Sequence, residues 1–335
     1  MKYVQQTPAP KKVELDKTDR KILIHLASNV RLPAASIGRR IGLSKDTVSY
    51  RIANLKKKGV LQGSRTIVDI AKFGYFSTHL LLQLNQPLPD AEKKLIKTFQ
   101  NYDFVRAIIK FNGKYDFELA VVHKTLLELD SIIQIIMRTS SPYLQSMETL
   151  FITKPITGRI FPKNFLPEKD IVLQKQKQTE LEADNIDMKI LKTIANHGDI
   201  PLHELGMKVG LSADGAKYRL KKLQQAGIIK GFVPVINYDV IGYNVYAILL
   251  SIKEFDSKRE ATLQEFLNSN NDILWGVKAI GKYNVLLYIC TTNPDDLVKT
   301  TTALRSHFAG LISEYETLIN YEEYKYTYYL DAIEN

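Results

Sequence analysis

The chain of 335 residues carries 46 Lys and Arg against 36 Asp and Glu, and 45% of its residues are hydrophobic. This length suggests about two to four domains, and the composition excludes a wholly disordered chain. The single cysteine, Cys290, excludes an internal disulfide and a multi-cysteine zinc site, which indicates a reducing compartment. No apolar run approaches the ~20 residues of a membrane span, and the first residues lack the apolar core of a secretory signal. We therefore expect a cytoplasmic protein with no membrane partner.

The two halves of the chain repeat each other at an offset of 168 residues. GLSKDTVSYR at 42–51 returns as GLSADGAKYR at 210–219, and Gly-Lys-Tyr at 113–115 returns at 281–283. Matches held in one register over about 135 residues indicate a tandem duplication. We expect the domains to be a first helical unit at 14–65, a first mixed unit at 66–153, a linker at 154–183, a second helical unit at 184–232 and a second mixed unit at 233–330.

The first segment of each repeat predicts three short helices. In repeat one, Ile22, Leu23 and Leu26 form an apolar stripe over 17–28, and Pro33 opens a second helix. Ser44 is a natural N-cap for a third helix, which ends near residue 59. This outline is that of a helix-turn-helix, whose later helix enters the major groove of DNA.

Positive charge is concentrated on the same segment. Residues 1–65 carry 15 Lys and Arg against 4 Asp and Glu, whereas residues 233–335 carry 8 against 14. Concentrated positive charge is typical of a surface that binds a polyanion, because neutralised phosphates release counterions. We predict double-stranded DNA as the partner, with no metal and no cofactor, since the histidines show neither metal nor triad spacing.

The candidate DNA contacts lie on and around the third helix. Base edges are assigned to Lys45, Ser49, Tyr50 and Asn54, and phosphates to Arg39, Arg40, Arg51, Lys56 and Lys57, with Thr47 beside them. An alternative for Arg51 is that it braces the domain fold. The second unit offers Lys217, Tyr218, Arg219 and Lys221. Because Ala213 and Gly215 replace Lys45 and Thr47, we expect the first unit to dominate affinity and the second to read a weaker half-site.

The rest of each repeat predicts the order βαββαβ. In repeat one the predicted strands and helices are 77–85, 89–101, 103–111, 116–123, 125–138 and 146–153. Repeat two gives the same order, which is the split ferredoxin-like unit. The predicted fold class is α+β, with two winged-helix or helix-turn-helix domains and two βαββαβ domains in tandem. Two such sheets in one chain can cover each other's apolar faces.

Taken together, these elements resemble the Lrp/AsnC family of feast/famine transcription regulators. The residues that carry the resemblance are Leu15-Asp16, Asp19, Gly42-Leu43-Ser44, Tyr50-Arg51, Leu55, Gly59-Val60, Gly74, Gly113-Lys114-Tyr115-Asp116 and Glu148-Thr149-Leu150. The resemblance implies sequence-specific DNA binding, control of transcription and often an amino acid or related small-molecule effector. It also implies that the ferredoxin-like (RAM) domains pair, here within the chain, with pairing between chains left open.

In this family the effector tends to lie near the central hairpin. The matching residues are Gly113, Tyr115 and Asp116 in repeat one and Gly281, Tyr283 and Asn284 in repeat two. The change from Asp116 to Asn284 argues against two equivalent effector sites. The glycines alternatively serve only hairpin geometry.

Two other functions remain open at this stage. A siroheme decarboxylase-like enzyme would use a similar unit to bind a tetrapyrrole, but its His-containing strand and Trp-Pro-Tyr-Asn segment are missing here. A non-specific architectural protein would coat DNA through charge alone. The tyrosine-rich tail beginning at residue 321 suits either an extra strand that closes a sheet or a contact in an oligomer.

Overall fold

The computed structural model describes residues 12–85, 89–166 and 181–329. Repeat one contains α1 (Lys17–Ser28), α2 (Ala34–Ile41), α3 (Lys45–Lys57), β1 (Leu61–Val68), β2 (Phe76–Leu84), α4 (Pro89–Gln100), β3 (Val105–Asn112), β4 (Phe117–His123), α5 (Leu126–Ser140) and β5 (Leu144–Gly158). Repeat two contains α6 (Asn185–Ile194), α7 (Leu202–Val209), α8 (Ala213–Gln225), β6 (Ile229–Ile236), β7 (Asn244–Ile252), α9 (Ser257–Ser269), β8 (Ile273–Ile280), β9 (Val285–Thr291), α10 (Pro294–His307) and β10 (Ile312–Tyr326). The predicted α+β class with helix-turn-helix and ferredoxin-like units is confirmed.

Local capping fixes the start of the third helix of each helix-turn-helix unit. The Ser44 hydroxyl accepts a hydrogen bond from the Thr47 amide at the start of α3, and Ser212 does the same for Gly215 at the start of α8. Gly42 ends α2 in the left-handed conformation, which creates the sharp turn before α3. These short-range bonds explain why the helix-turn-helix was visible in the sequence.

A strand pair that the sequence did not predict joins the two helix-turn-helix units. β1 and β6 run antiparallel, from Leu61 opposite Ile236 to Val68 opposite Ile229. The amide of Val30 adds a hydrogen bond of 2.9 Å to the carbonyl of Phe232. The two units are therefore connected through the backbone as well as through side chains.

The remaining eight strands form one closed sheet in the order β10-β3-β4-β2-β5-β8-β9-β7. The long strands β5 and β10 each leave their own repeat and pair with the other one, β5 with β8 and β10 with β3. Residue 153, the expected domain boundary, consequently lies inside β5. Of the expected linker 154–183, residues 154–158 belong to this strand and 167–180 lie outside the described residues.

The tyrosine-rich segment supplies the end of β10, which closes the sheet against β3. Beyond it, Tyr329 is buried in the core of the second helix-turn-helix unit. This arrangement corresponds to the first of the two roles considered for the tail. Residues 330–335 lie outside the described residues.

The hydrophobic cores are shared across the repeats. Residues Ile22, Leu23 and Leu55 of the first helical unit pack with Tyr243 and Leu274 of repeat two. The core of the second helical unit conversely includes Val68, Tyr75 and Val122 of repeat one. Each helix-turn-helix unit therefore packs on the mixed unit of the other repeat. Within the described ranges, no helix combines the length and the apolar character needed to cross a lipid bilayer.

Candidate nucleic-acid interface

One face of α3 is open to solvent and carries most of the predicted DNA contacts. Val48 and Leu55 are buried under the helix, because residues seven apart lie on the same side. The rest of the helix surface exposes Lys45, Thr47, Ser49, Tyr50, Lys56 and Lys57, with Asn54 half-buried. Tyr50 is 73% exposed, which is far more than a core aromatic. Arg39 and Arg40 are exposed at the end of α2 and extend the cationic surface.

The second recognition helix, α8, presents a similar but less basic face. Lys217, Tyr218 and Lys221 are exposed, and Tyr218 is 60% exposed at the position equivalent to Tyr50. The ammonium of Lys222 lies 5.2 Å from the centroid of the Tyr218 ring. Both readers thus place an exposed tyrosine among lysines, as suits contact with bases and phosphates together.

Arg51 and Arg219 occupy a different environment from the predicted phosphate contacts. The Arg51 guanidinium lies 2.7 Å from the Asp16 carboxylate and 2.8 Å from that of Asp19. Arg219 repeats this with Asp184 at 2.7 Å and Asp187 at 3.0 Å. The hydrogen bond from Arg219 lowers the pKa of Asp184, so the pair is charged at neutral pH. This geometry favours the alternative role, in which each arginine braces the third helix against the first.

The two helix-turn-helix units are also joined by polar contacts that were not predicted from the sequence. The Lys56 ammonium lies 3.3 Å from the carboxylate of Asp199, in the loop before α7. The Asp199 carboxylate also accepts a hydrogen bond from the Ser64 hydroxyl, and the Arg31 guanidinium donates to the carbonyl of Gly198 at 2.8 Å. Arg31 and Asp199 occupy equivalent positions of the two repeats. The change from a cation to an anion at this position was the sequence signal for the contact.

The hairpin residues predicted for an effector lie where the repeats meet. Gly113 and Gly281 have φ of 152° and 155°, and a Cβ on Gly281 would stand 2.3 Å from the carbonyl oxygen of Thr149. Tyr115 and Tyr283 are buried against each other, with ring centroids 6.4 Å apart. These four residues therefore form a contact between the two mixed units.

Asp116 and Asn284 connect each hairpin to the end of a neighbouring strand. The Asp116 carboxylate accepts a hydrogen bond of 2.6 Å from the amide of Leu84. Asn284 accepts from the amide of Ile252 at 2.9 Å and donates to the carbonyl of the same residue at 2.7 Å. Burial raises the pKa of the Asp116 carboxyl. The Asn284 amide thus both accepts from and donates to the backbone of Ile252, whereas the Asp116 carboxylate accepts one hydrogen bond from the backbone.

A buried polar cluster inside the closed sheet was also missed. His79 Nδ1 lies 2.7 Å from the Glu118 carboxylate, and the Tyr288 hydroxyl donates to the same carboxylate at 2.8 Å. Trp275 stacks on His79, with ring centroids 6.3 Å apart. Across residues 12–85, 89–166 and 181–329, no three acidic, histidine or cysteine side chains converge as metal ligands would.

Sequence comparisons match both DNA-reading units. A family model described as winged helix-turn-helix DNA-binding covers residues 15–62 and 184–230. The regulatory protein AsnC of Haemophilus influenzae is 30% identical over 149 residues, which cover 44% of this chain and 98% of that protein. The HTH-type transcriptional regulator FL11 of Pyrococcus furiosus is 30% identical over 115 residues, which cover 34% of this chain and 74% of that protein.

A solved structure matches nearly the whole chain. The siroheme decarboxylase NirDL aligns over 92% of this chain and 93% of its own, with a TM-score of 0.61 and 11% identity. At this identity the match concerns the fold, and it supports a chain built from two fused units. The sequence relatives decide the family: this chain belongs to the Lrp/AsnC family of transcription regulators and carries the family's unit twice.

Proposed function

We propose that this protein is a sequence-specific DNA-binding transcription regulator of the cytoplasm that recognises two unequal half-sites. The observation that carries the proposal is the solvent-facing surface of α3, on which Lys45, Ser49, Tyr50 and Lys57 are exposed and Asn54 is half-buried. Groups that both donate and accept hydrogen bonds can distinguish base edges, and the lysines supply affinity for phosphates.

The first unit contributes most of the affinity in this proposal. Its reader has lysines at 45, 56 and 57, where the second reader has Ala213, Gln224 and Gln225. Fewer cations release fewer counterions, so the second half-site is bound more weakly. The backbone pairing of β1 with β6 supports a set distance between the two readers.

Selection of DNA from a random library, followed by genome-wide mapping, tests this proposal. We expect one asymmetric motif, in which the half-site read by α3 is the more strongly enriched. Asn54→Ala should relax preference at one or two base positions, whereas Lys57→Ala, the matched control, should weaken all sites equally. Recovery of no motif, with affinity that depends only on salt, would favour the architectural alternative.

We further propose that a small molecule, an amino acid or a relative of one, adjusts DNA binding through the hairpin of repeat one. The support is the asymmetry between Asp116 and Asn284, since only a carboxylate can pair with a ligand's ammonium group. Calorimetric titration of the chain with the common amino acids tests this, and a bound ligand should show one site per chain. Asp116→Asn should abolish ligand binding. The native chain should bind the ligand with Asn284 in place, without the substitution Asn284→Asp.

The enzyme alternative has a direct test of its own. The protein is titrated with an iron-containing tetrapyrrole while absorbance is recorded, with a known tetrapyrrole-binding protein as the positive control. In our proposal the titration produces no shifted Soret band that saturates at one equivalent of tetrapyrrole per chain. A saturating band would transfer the assignment to the decarboxylase class.

A further inference from the structure

The interior of the closed sheet contains side chains that break the symmetry between the repeats. Across three neighbouring strands of repeat one, one row reads His79, Ala120 and Ala107. The equivalent row of repeat two reads Ala247, Tyr288 and Trp275. Each repeat is thus large where the other is small. Beside this row the repeats differ in polarity, since Glu118 of repeat one corresponds to Leu286 of repeat two.

These differences meet in one buried contact. The Glu118 carboxylate, 1% exposed, receives the hydroxyl of Tyr288 at 2.8 Å from across the interior. His79 of the same repeat completes the cluster at 2.7 Å, and Trp275 of the other repeat stacks on it. Each repeat contributes two of the four side chains, and neither repeat contains a complete set.

From this complementarity we propose that the inner face of repeat one is built to pair with a repeat-two face and to reject a second repeat-one face. If two repeat-one faces met, each Glu118 would lie opposite Ala120 without a hydroxyl donor. Losing the tyrosine hydroxyl that donates to this buried carboxyl group is unfavourable, and the missing aromatic rings would leave cavities.

A pair of repeat-two faces fails for the opposite reason. Two tryptophans and two tyrosines would compete for space that Ala107 and Ala120 provide in the real pair. The tyrosine hydroxyls would also be buried without a carboxylate acceptor. Polar groups placed at a buried interface are a known means of specifying partner and register. The cluster thus selects the pairing of unlike repeats, independently of any DNA or effector function.

Substitutions in the full chain test this selection by exchanging the faces. The first variant makes repeat two resemble repeat one, with Ala247→His, Tyr288→Ala, Trp275→Ala and Leu286→Glu. The second variant adds the reciprocal changes His79→Ala, Ala120→Tyr, Ala107→Trp and Glu118→Leu, which restore two unlike faces with their roles exchanged. We expect the first variant to unfold at a much lower urea concentration than the native chain, or to associate between chains, which light scattering detects. We expect the second to regain a substantial part of that loss as a single species.

The matched control uses a position where the repeats agree. Leu81 and Leu249 are equivalent and both buried in the same interior. Leu81→Ala and Leu249→Ala should each lower the midpoint, because each removes buried apolar volume, and neither reciprocal exchange is available to restore it. An eight-substitution variant that folds but is no more stable than the four-substitution one overturns the proposal.

A double-mutant cycle gives a decision even if the exchanged chain does not fold. Glu118→Leu and Tyr288→Phe are made singly and together in the otherwise native chain. Each single change leaves one polar group of the contact without its partner, so we expect each to lower the urea midpoint. The double variant removes both groups and should regain part of the loss. Strictly additive losses would contradict selection by this contact.

Discussion

The guanidinium of Arg51 lies 2.7 Å from the carboxylate of Asp16, which is also the N-cap of α1. A single side chain thereby ties the start of the first helix to the middle of the recognition helix. The same relationship returns between Arg219 and Asp184 in repeat two. Repetition of this contact in both readers indicates a role in positioning the helix.

Arg51→Ala should therefore act on stability more than on the salt dependence of DNA binding. Loss of two partly exposed ion pairs is expected to cost about 1 kcal/mol of unfolding free energy. Thermal or urea unfolding measures this cost, with Arg39→Ala as a control of equal charge change. A lower slope of log K against log salt, without a loss of stability, would instead show that Arg51 contacts a phosphate.

Lys45→Ala and Lys57→Ala should reduce the salt dependence of DNA binding. Each phosphate contact that is lost is expected to lower the slope of log K against log salt by about 0.9. Fluorescence anisotropy at several salt concentrations measures the slope. Lys97→Ala on α4, far along the chain from either reader, serves as the control and should leave the slope unchanged.

Asp199→Asn should strengthen DNA binding. The carboxylate of Asp199 holds the ammonium of Lys56 at 3.3 Å, and its removal leaves that ammonium for a phosphate. We expect a gain of about 0.5–1 kcal/mol in binding, measured by anisotropy at low salt. In a Lys56→Ala background the same substitution should gain much less. An equal gain in both backgrounds would show that the effect is one of general charge.

Asp116→Asn should change how stability depends on pH. Burial raises the pKa of this carboxyl, so the folded chain holds the proton at a pH where the unfolded chain has released it. Stability therefore falls as pH rises from the ordinary carboxyl range through the raised pKa. The asparagine variant should lack this fall and be at least as stable as the native chain at pH 7. Urea unfolding between pH 4.5 and 7.5 measures the difference.

A carboxylate with the opposite shift provides the control for this experiment. Asp256 caps α9, and the hydrogen bond from the Arg259 amide lowers its pKa. Its contribution is present above the ordinary carboxyl pKa and is lost as pH falls through the lowered value. Asp256→Asn should consequently be less stable than the native chain at pH 7. If the two variants gave pH profiles of the same sign, the assignment for Asp116 would be incorrect.

Gly281→Ala should be more damaging than Gly310→Ala. Both glycines have positive φ, and each alanine is expected to cost about 1 kcal/mol or more in backbone strain. At Gly281 the added methyl also meets the Thr149 carbonyl at 2.3 Å, whereas nothing lies within 4 Å at Gly310. Urea midpoints compare the two variants directly. Equal losses would mean that the hairpin does not need the close approach between repeats.

Features set by nearby residues were the ones that the sequence could predict. The Ser44 cap, the Gly42 turn and the spacing of Val48 and Leu55 depend on contacts within one or two helical turns, so the helix-turn-helix was predicted together with its exposed face. The βαββαβ order likewise follows from periodicity and from hairpin glycines.

Features set by distant residues were not predictable in this way. β1 pairs with a strand some 170 residues away, and nothing in either segment names its partner. The cluster of His79, Glu118 and Tyr288 was hidden because each residue alone reads as an ordinary core or surface position. Aligning the repeats and asking where they differ would have found it. The same comparison at Arg31 and Asp199 marks the contact between the readers.

The antiparallel pair of β1 and β6 has a consequence for how occupancy responds to protein concentration. Both reading heads belong to one polypeptide, so dilution cannot separate them as it separates the halves of a dissociable dimer. In the proposed function, binding of both half-sites by one chain therefore needs no prior association of the two helix-turn-helix units from separate chains.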